Sequence, residues 1–172
     1  GSGTKTHDAD FRVAASGILA AMQRDTRLTL HIIGDLTLPE SFEAVKERVQ
    51  TLAGRDYAAY LGLLAQADIT IAPLEPTIFN DAKSNIKSLA AAILKIPSGC
   101  SPRDAFLQVM QDGKNGLLAE EETQWRDAIL RLAADPDLRA QFGQQAYEDV
   151  LDRYSPAQIA RQQVLPVFGR PV

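Results

Sequence analysis

Ile69-Thr70-Ile71-Ala72-Pro73-Leu74, then Asn80-Asp81-Ala82-Lys83-Ser84-Asn85-Ile86-Lys87, then Leu89-Ala90-Ala91-Ala92-Ile93-Leu94: the fold turns on this stretch. A short apolar run with β-branched residues, closed by proline, reads as a buried strand over 69–73. The polar octet reads as a loop. The alanine-rich run reads as a helix that Ile96-Pro97 stops. Helical spacing puts Ile86, Leu89, Ala90, Ile93 and Leu94 on its expected buried face. A helix start offers N–H groups without intrahelical partners and a partial positive charge, so it holds phosphate well. Lys83 and Lys87 add formal charge there. Asn80, Lys83, Ser84 and Lys87 are therefore candidate ligands for the phosphates of a nucleotide. The plainer reading is a solvated helix start with Ser84 as N-cap. A P-loop is excluded, because no glycines precede the Lys83-Ser84 pair.

The same alternation continues on both sides. Upstream, Phe11, Ala14, Ala15, Ile18, Leu19 and Met22 recur at helical spacing, with Asp8 or Asp10 favouring the helix start. Leu28–Ile33 alternates as a strand before Gly34-Asp35. Residues 36–54 fit either a short helix or a strand. Tyr57, Tyr60, Leu61 and Leu64 mark a helix. Downstream, 97–100 reads as a short strand, 103–111 as a short helix and 116–119 as a strand. Trp125, Ile129 and Leu132 share one face of the next helix. Asp135-Pro136 and Ser155-Pro156 open two more. Strand–helix alternation of this kind predicts an α/β fold with a doubly wound parallel sheet, which binds ligands beyond the carboxyl ends of its strands. The octet lies at such an end. A second loop, Gly1-Ser2-Gly3-Thr4-Lys5-Thr6-His7, precedes the first helix, and its glycines allow close approach to an anion. A flexible terminus, an expression scar or a cut just after a strand explains it equally well.

Composition narrows the function. The chain has 172 residues, enough for one domain with a substantial core, and a net charge of −4. No long basic run is present, so a broad nucleic-acid surface is not expected. One cysteine, Cys100, and two histidines leave no disulfide framework and no Cys/His zinc site. Cys100 reads as a small buried residue and His31 as a structural one; His7 is a modest acid–base candidate. No apolar run approaches the ~20 residues of a membrane span, and no signal peptide is recognised, so the cytoplasm is the expected setting. The carboxylates form no catalytic pair, and catalytic residues are not identified.

The residues also resemble a family. Ser2-Gly3-Thr4-Lys5-Thr6-His7-Asp8-Ala9-Asp10-Phe11, Ile33-Gly34, Ile71-Ala72-Pro73-Leu74, Phe79–Lys87 and Asp112-Gly113-Lys114-Asn115-Gly116-Leu117-Leu118 recur in this order in bacterial group 1 glycosyltransferases. Over nearly its whole length the chain looks like the carboxy-terminal, donor-binding half of a GT-B enzyme. The resemblance implies a Rossmann-like domain over 1–172, cut from a longer enzyme whose amino-terminal half binds the acceptor. It implies a nucleoside-diphosphate sugar as donor substrate, no cofactor, no metal, and sugar transfer to an acceptor hydroxyl with retention of configuration. It places Ser2, Gly3, Thr4 and Lys5 near the donor phosphates, with Lys83, Ser84 and the following N–H groups facing them. Many members carry two glutamates separated by seven residues that hold sugar and ribose; Ala82 and Ala90 stand at those positions. Lys95 stands where a glycine is usual. Ala82 and Ala90 keep a second reading open, a degenerate, non-catalytic nucleotide-binding domain. A receiver-like signalling domain is a weaker third, since Asp35 and Asp68 do not form its acidic cluster.

Overall fold

The computed structural model describes residues 2–3, 7–53 and 56–169. In chain order its elements are β1 (Ser2–Gly3), α1 (Asp8–Arg24), β2 (Leu30–Gly34), a 3-10 segment (Glu40–Arg48), β3 (Val49–Leu52), α2 (Tyr57–Leu64) and β4 (Thr70–Ala72). Then come α3 (Ile78–Asp81), α4 (Ile86–Ile93), β5 (Ser98–Cys100), α5 (Asp104–Leu107) and β6 (Leu117–Leu118). The chain closes with α6 (Glu122–Ala134), α7 (Pro136–Tyr154), α8 (Pro156–Ile159), a π-helical turn (Ala160–Val164) and α9 (Leu165–Phe168).

Every strand pairing among the described residues is parallel, as strand–helix alternation requires. The strands form two ladders, β1-β2-β3 and β4-β5-β6. Ser2 lies opposite Ile33 and Leu30 opposite Val49; Thr70 lies opposite Ser98 and Gly99 opposite Leu117. The expected strands at 28–33 and 69–73 are present as Leu30–Gly34 and Thr70–Ala72. The ambiguous segment 36–54 contains both alternatives, a 3-10 segment and then β3. Arg48 ties it down by donating to the carbonyls of Met22 at 2.8 Å and Leu28 at 3.1 Å, just where α1 runs out of intrahelical donors. Phe42 adds a ring contact to Phe11 at 5.6 Å between centroids.

Small residues set the layer spacing. α1 and α6 pack on each other. At Gly17 an added Cβ would lie 2.5 Å from the Cβ of Trp125 and 2.6 Å from the Glu122 carbonyl. Glycine lets the two backbones meet there and lets Trp125 be fully enclosed. Gly143 of α7 does the same against the Lys95 carbonyl.

The expected face of α4 is corrected. Ser88, Ala90, Ala91 and Ala92 are buried, while Ile86 and Ile93 are 54% and 46% exposed. α4 is held between α7 on one side and β4 and β5 on the other. Alanines fit that narrow space, and the two isoleucines are turned outward. Helical periodicity alone ranks by hydrophobicity and does not register this width.

α4 ends in a Schellman motif: the Ile96 N–H donates to Ala91 and the Lys95 N–H to Ala92. Lys95 accordingly sits at φ +58°, the left-handed region that a Cβ disfavours. Its ammonium rests 4.8 Å from the Tyr147 ring centre. Both Lys95→Gly and Lys95→Ala lose that ring contact, but only alanine keeps the Cβ. The expected outcome is that Lys95→Gly is more stable than Lys95→Ala by about 1 kcal/mol, read from paired urea unfolding curves.

Candidate active site

The site is built at the carboxyl ends of β2 and β4. β4 runs out at Ala72, and the chain crosses Pro73 and Leu74 to reach α3. The Leu74 N–H donates to the Ser101 hydroxyl at 2.9 Å, which fixes this crossing against the end of β5. The Thr77 hydroxyl accepts from the Asn80 N–H at 3.2 Å and caps α3. On the β2 side, Gly34 turns at φ +114°, and the Thr37 N–H donates to the Asp8 carboxylate at 3.0 Å.

Between these crossings stands Asp10, 4% exposed. Its Oδ1 accepts from the Glu75 N–H at 3.0 Å and from Asn80 Nδ2 at 2.7 Å. Its Oδ2 accepts from Lys83 Nζ and His7 Nδ1, each at 2.9 Å. Burial works to raise its pKa. The Glu75, Lys83, His7 and Asn80 donors outweigh that and hold it at about 2. Asn80 also donates to the Glu75 carbonyl at 2.9 Å.

The candidate residues named from the sequence separate in space. Asn80 is buried and belongs to the Asp10 network. Lys83 is bound to Asp10 and lies 5.4 Å from the Phe79 ring centre, with part of its side chain open to solvent. Ser84 is exposed and is not the N-cap; Asn85 holds that position and turns its amide to the Tyr154 hydroxyl at 3.1 Å. Lys87, in the first turn of α4, points inward. Burial pulls its pKa down, Asp10 opposes this and Lys83 adds to it. Ser2 and Gly3 form β1, beside the end of β2. Thr4 and Lys5, the rest of the expected phosphate loop, lie outside the described residues. Ala82 is exposed at the end of α3, and Ala90 is packed with Leu64, Ala91 and Ile96. Cys100 is fully buried, and burial pushes its thiol pKa up, as suits a packing residue. Among the described residues no three His, Cys, Asp or Glu side chains group as a metal site would require.

Asp10 is the residue that sequence reasoning misses, since on sequence it only favours a helix start. A signal is nonetheless present. Asp10 is in helical phase with Ala14, Gly17 and Ala21, the buried stripe of α1. A carboxylate continuing an apolar stripe must find donors or lose its charge.

The depressed pKa makes Asp10 a source of stability that is complete above pH ~4 and lost as pH falls towards 2. Asp10→Asn is expected to lower the unfolding free energy at neutral pH by about 2 kcal/mol. Its gap to the wild type should shrink as the pH is stepped down through that window in urea titrations.

Comparisons with known proteins agree with this architecture. Residues 12–164 match a protein-family model described as "Glycosyl transferase-like". No curated protein matches. Among solved structures, a TarM variant from S. aureus in complex with fondaparinux, alpha-GlcNAc-glycerol and UDP superposes with a TM-score of 0.74 at 18% identity. The match covers 98% of this chain and 35% of TarM. HepE from Anabaena in complex with UDP gives a TM-score of 0.77 at 15% identity, over 96% of this chain and 48% of HepE. The C-terminal domain of a glycosyl transferase group 1 family protein, LpcC from Francisella tularensis, gives 0.66 at 17%, over 90% of this chain and 85% of that domain. The chain thus spans about a third to a half of the TarM and HepE chains. The expected likeness to the carboxy-terminal, Rossmann-like half of a GT-B enzyme is borne out. A family match over most of the chain, on an architecture shared with these transferases, places the protein in the glycosyl transferase-like family.

Proposed function

We propose that this chain is the donor-binding domain of a glycosyltransferase that moves a sugar from a nucleoside-diphosphate sugar to an acceptor hydroxyl. The observation that carries the reading is the Asp10 network, which holds Lys83 beside the open first turn of α4 at the end of β4. An ammonium has donors to spare beyond the one Asp10 takes. Asp10 therefore acts as a positioning residue, fixing Lys83 while leaving it able to meet a phosphate. The first-turn N–H groups of α4, with Ser84 exposed before them, supply the uncharged part of the same site. As the sugar bond breaks, charge builds on the departing diphosphate. Fixed donors and a fixed cation stabilise that charge more than they stabilise the intact donor. Ser2 and Gly3, in β1 beside the end of β2, extend the proposed site; Thr4 and Lys5 join it in this reading on their sequence alone. UDP in the TarM and HepE complexes supports a nucleoside diphosphate as the ligand class.

In this reading the domain spans 1–172 of a longer enzyme. An amino-terminal half binds the acceptor and closes over the donor, the reaction retains configuration without a metal, and the enzyme works in the cytoplasm. A second reading is favoured by Ala82 and Ala90, which offer no hydrogen-bonding group for ribose or sugar. In it the fold persists as a nucleotide-binding domain without turnover.

NMR titration with UDP is expected to shift amides in 83–88, with a dissociation constant on the order of 1 mM, about −4 kcal/mol. Lys83→Ala should weaken UDP at least about tenfold and leave uridine unchanged. Shifts that map elsewhere remove the phosphate assignment. Assays with UDP-, GDP- and ADP-sugars separate the two readings. The isolated chain is expected to be inactive and the full-length enzyme active; UDP binding without turnover at full length selects the second reading.

A further inference from the structure

The start of α4 does not use the cap that its sequence provides. Asparagine is among the best N-cap residues, because its side-chain oxygen can accept from the second or third N–H of the helix. Asn85 stands at that position, and its carbonyl accepts the Leu89 N–H at 3.1 Å, yet its side chain makes no capping bond. Its backbone lies at φ −85° and ψ 18°, away from the extended conformation of a capping residue. The amide turns to α7 instead, where Asn85 Nδ2 donates to the Tyr154 hydroxyl at 3.1 Å. From the helix side, the Ser88 hydroxyl donates to the Asn85 carbonyl at 2.8 Å. The Tyr154 hydroxyl is a fixed point. α4 and α7 pack on each other, with Gly143 of α7 against the Lys95 carbonyl past the far end of α4. Nearer Tyr154, Arg153 donates to the Gln108 carbonyl at 3.1 Å, and Asp149 accepts from Asn115 Nδ2 at 2.7 Å. The last turns of α7 are thus pinned to the chain between β5 and β6, and Tyr154 is held with them.

We propose that Tyr154 is a positioning residue of the donor site: it withholds the Asn85 amide from α4, so that the N–H groups of the first turn stay open to a phosphate. The inference rests on the donor-site reading above and adds what controls access to those groups. The Leu89 N–H is the first to pair with the Asn85 carbonyl, so the N–H groups of Ile86, Lys87 and Ser88 stand ahead of the helical ladder. A side-chain oxygen and a phosphate oxygen compete for the same few donors. An asparagine at the N-cap is covalently attached, so it competes at every ligand concentration. Holding its amide on a second helix removes that competitor, and the hydroxyl that holds it brings no charge of its own to the site. Lys83, fixed on Asp10 at 2.9 Å, supplies the positive charge just ahead of the same turn. Two separate anchors therefore prepare one place. Asp10 fixes the cation, and Tyr154 keeps the neutral donors free. Loss of the Tyr154 hydroxyl lets Asn85 relax to the extended backbone of a capping residue and close the turn with its own oxygen.

The test compares the wild type, Tyr154→Phe and the double variant Tyr154→Phe/Asn85→Ala, each by amide exchange with water and by NMR titration with UDP. Tyr154→Phe removes one oxygen and keeps the ring. It is expected to slow exchange at the Lys87 and Ser88 amides about fivefold, the size of a typical side-chain cap, and to weaken UDP by about the same factor. The double variant has no side chain able to cap. It should lose the added protection and bind UDP within about twofold of the wild type. A merely structural role for Tyr154 predicts the opposite, since a second truncation at the same contact does not restore binding. The proposal is overturned if Tyr154→Phe leaves both exchange and UDP affinity unchanged. It is overturned equally if the double variant binds UDP no better than Tyr154→Phe, because the hydroxyl then contacts the ligand itself or only supports the fold. Added protection at Lys87 and Ser88 with unchanged UDP affinity also sinks it, since the phosphates then do not use these donors. Failure of the donor-site reading looks different: UDP leaves residues 83–88 unshifted in the wild type, while exchange in the three proteins still decides whether Tyr154 withholds Asn85 from the helix.

Discussion

An ionised carboxylate removed from water has to be repaid by donors, and the mouth of this domain is organised by that demand at Asp10. The donors come from His7, Glu75, Asn80 and Lys83, so they join the entry of α1 to the whole β4–α3–α4 crossing. Each also needs Asp10. Asn80 is buried and the Lys83 head is partly so, and both would be left with poor partners if the carboxylate were lost. The cluster is therefore a joint. Its rigidity holds a flexible lysine in one place at the end of β4; in the proposed donor site that is a charge already in place.

Close backbone approach is the second constraint. Gly17 against Trp125, Gly143 against Lys95 and the alanines of α4 each replace a side chain by proximity. Such contacts gain dispersion over many atoms, and they leave no room for growth. Lys95 shows the opposite compromise. The Schellman turn wants a residue without a Cβ, and the chain places a lysine there, offset by its contact with Tyr147. The strain sits on the exposed rim and does not reach the Asp10 joint.

Each ladder is parallel throughout, and among the described residues no pairing joins the two. Lys87 joins the candidate phosphate positions to the interior: it starts in the first turn of α4 and lines a cavity with residues of β2 and β4.

Periodicity and turn chemistry determined the element order of this protein. The spacing of Phe11, Ala14, Ile18 and Met22, the β-branched runs at 30–33 and 69–71, and the Asp135-Pro136 cap are local signals that tertiary context did not override. The ordered motifs determined the family. Three things were decided only by the fold. Which face of α4 is buried depends on the width between α7 and the strands, which sequence periodicity does not encode. Whether Asn80, Lys83, Ser84 and Lys87 form one cluster depends on where each side chain points. They divide among a buried joint, an exposed serine ahead of the helix and an inward lysine because Asp10, 70 residues from Asn80, competes for the donors. Asp10 itself was visible as a residue and not as a hub, since a buried charge is recognised by its partners, and partners that distant become neighbours only when the chain has folded.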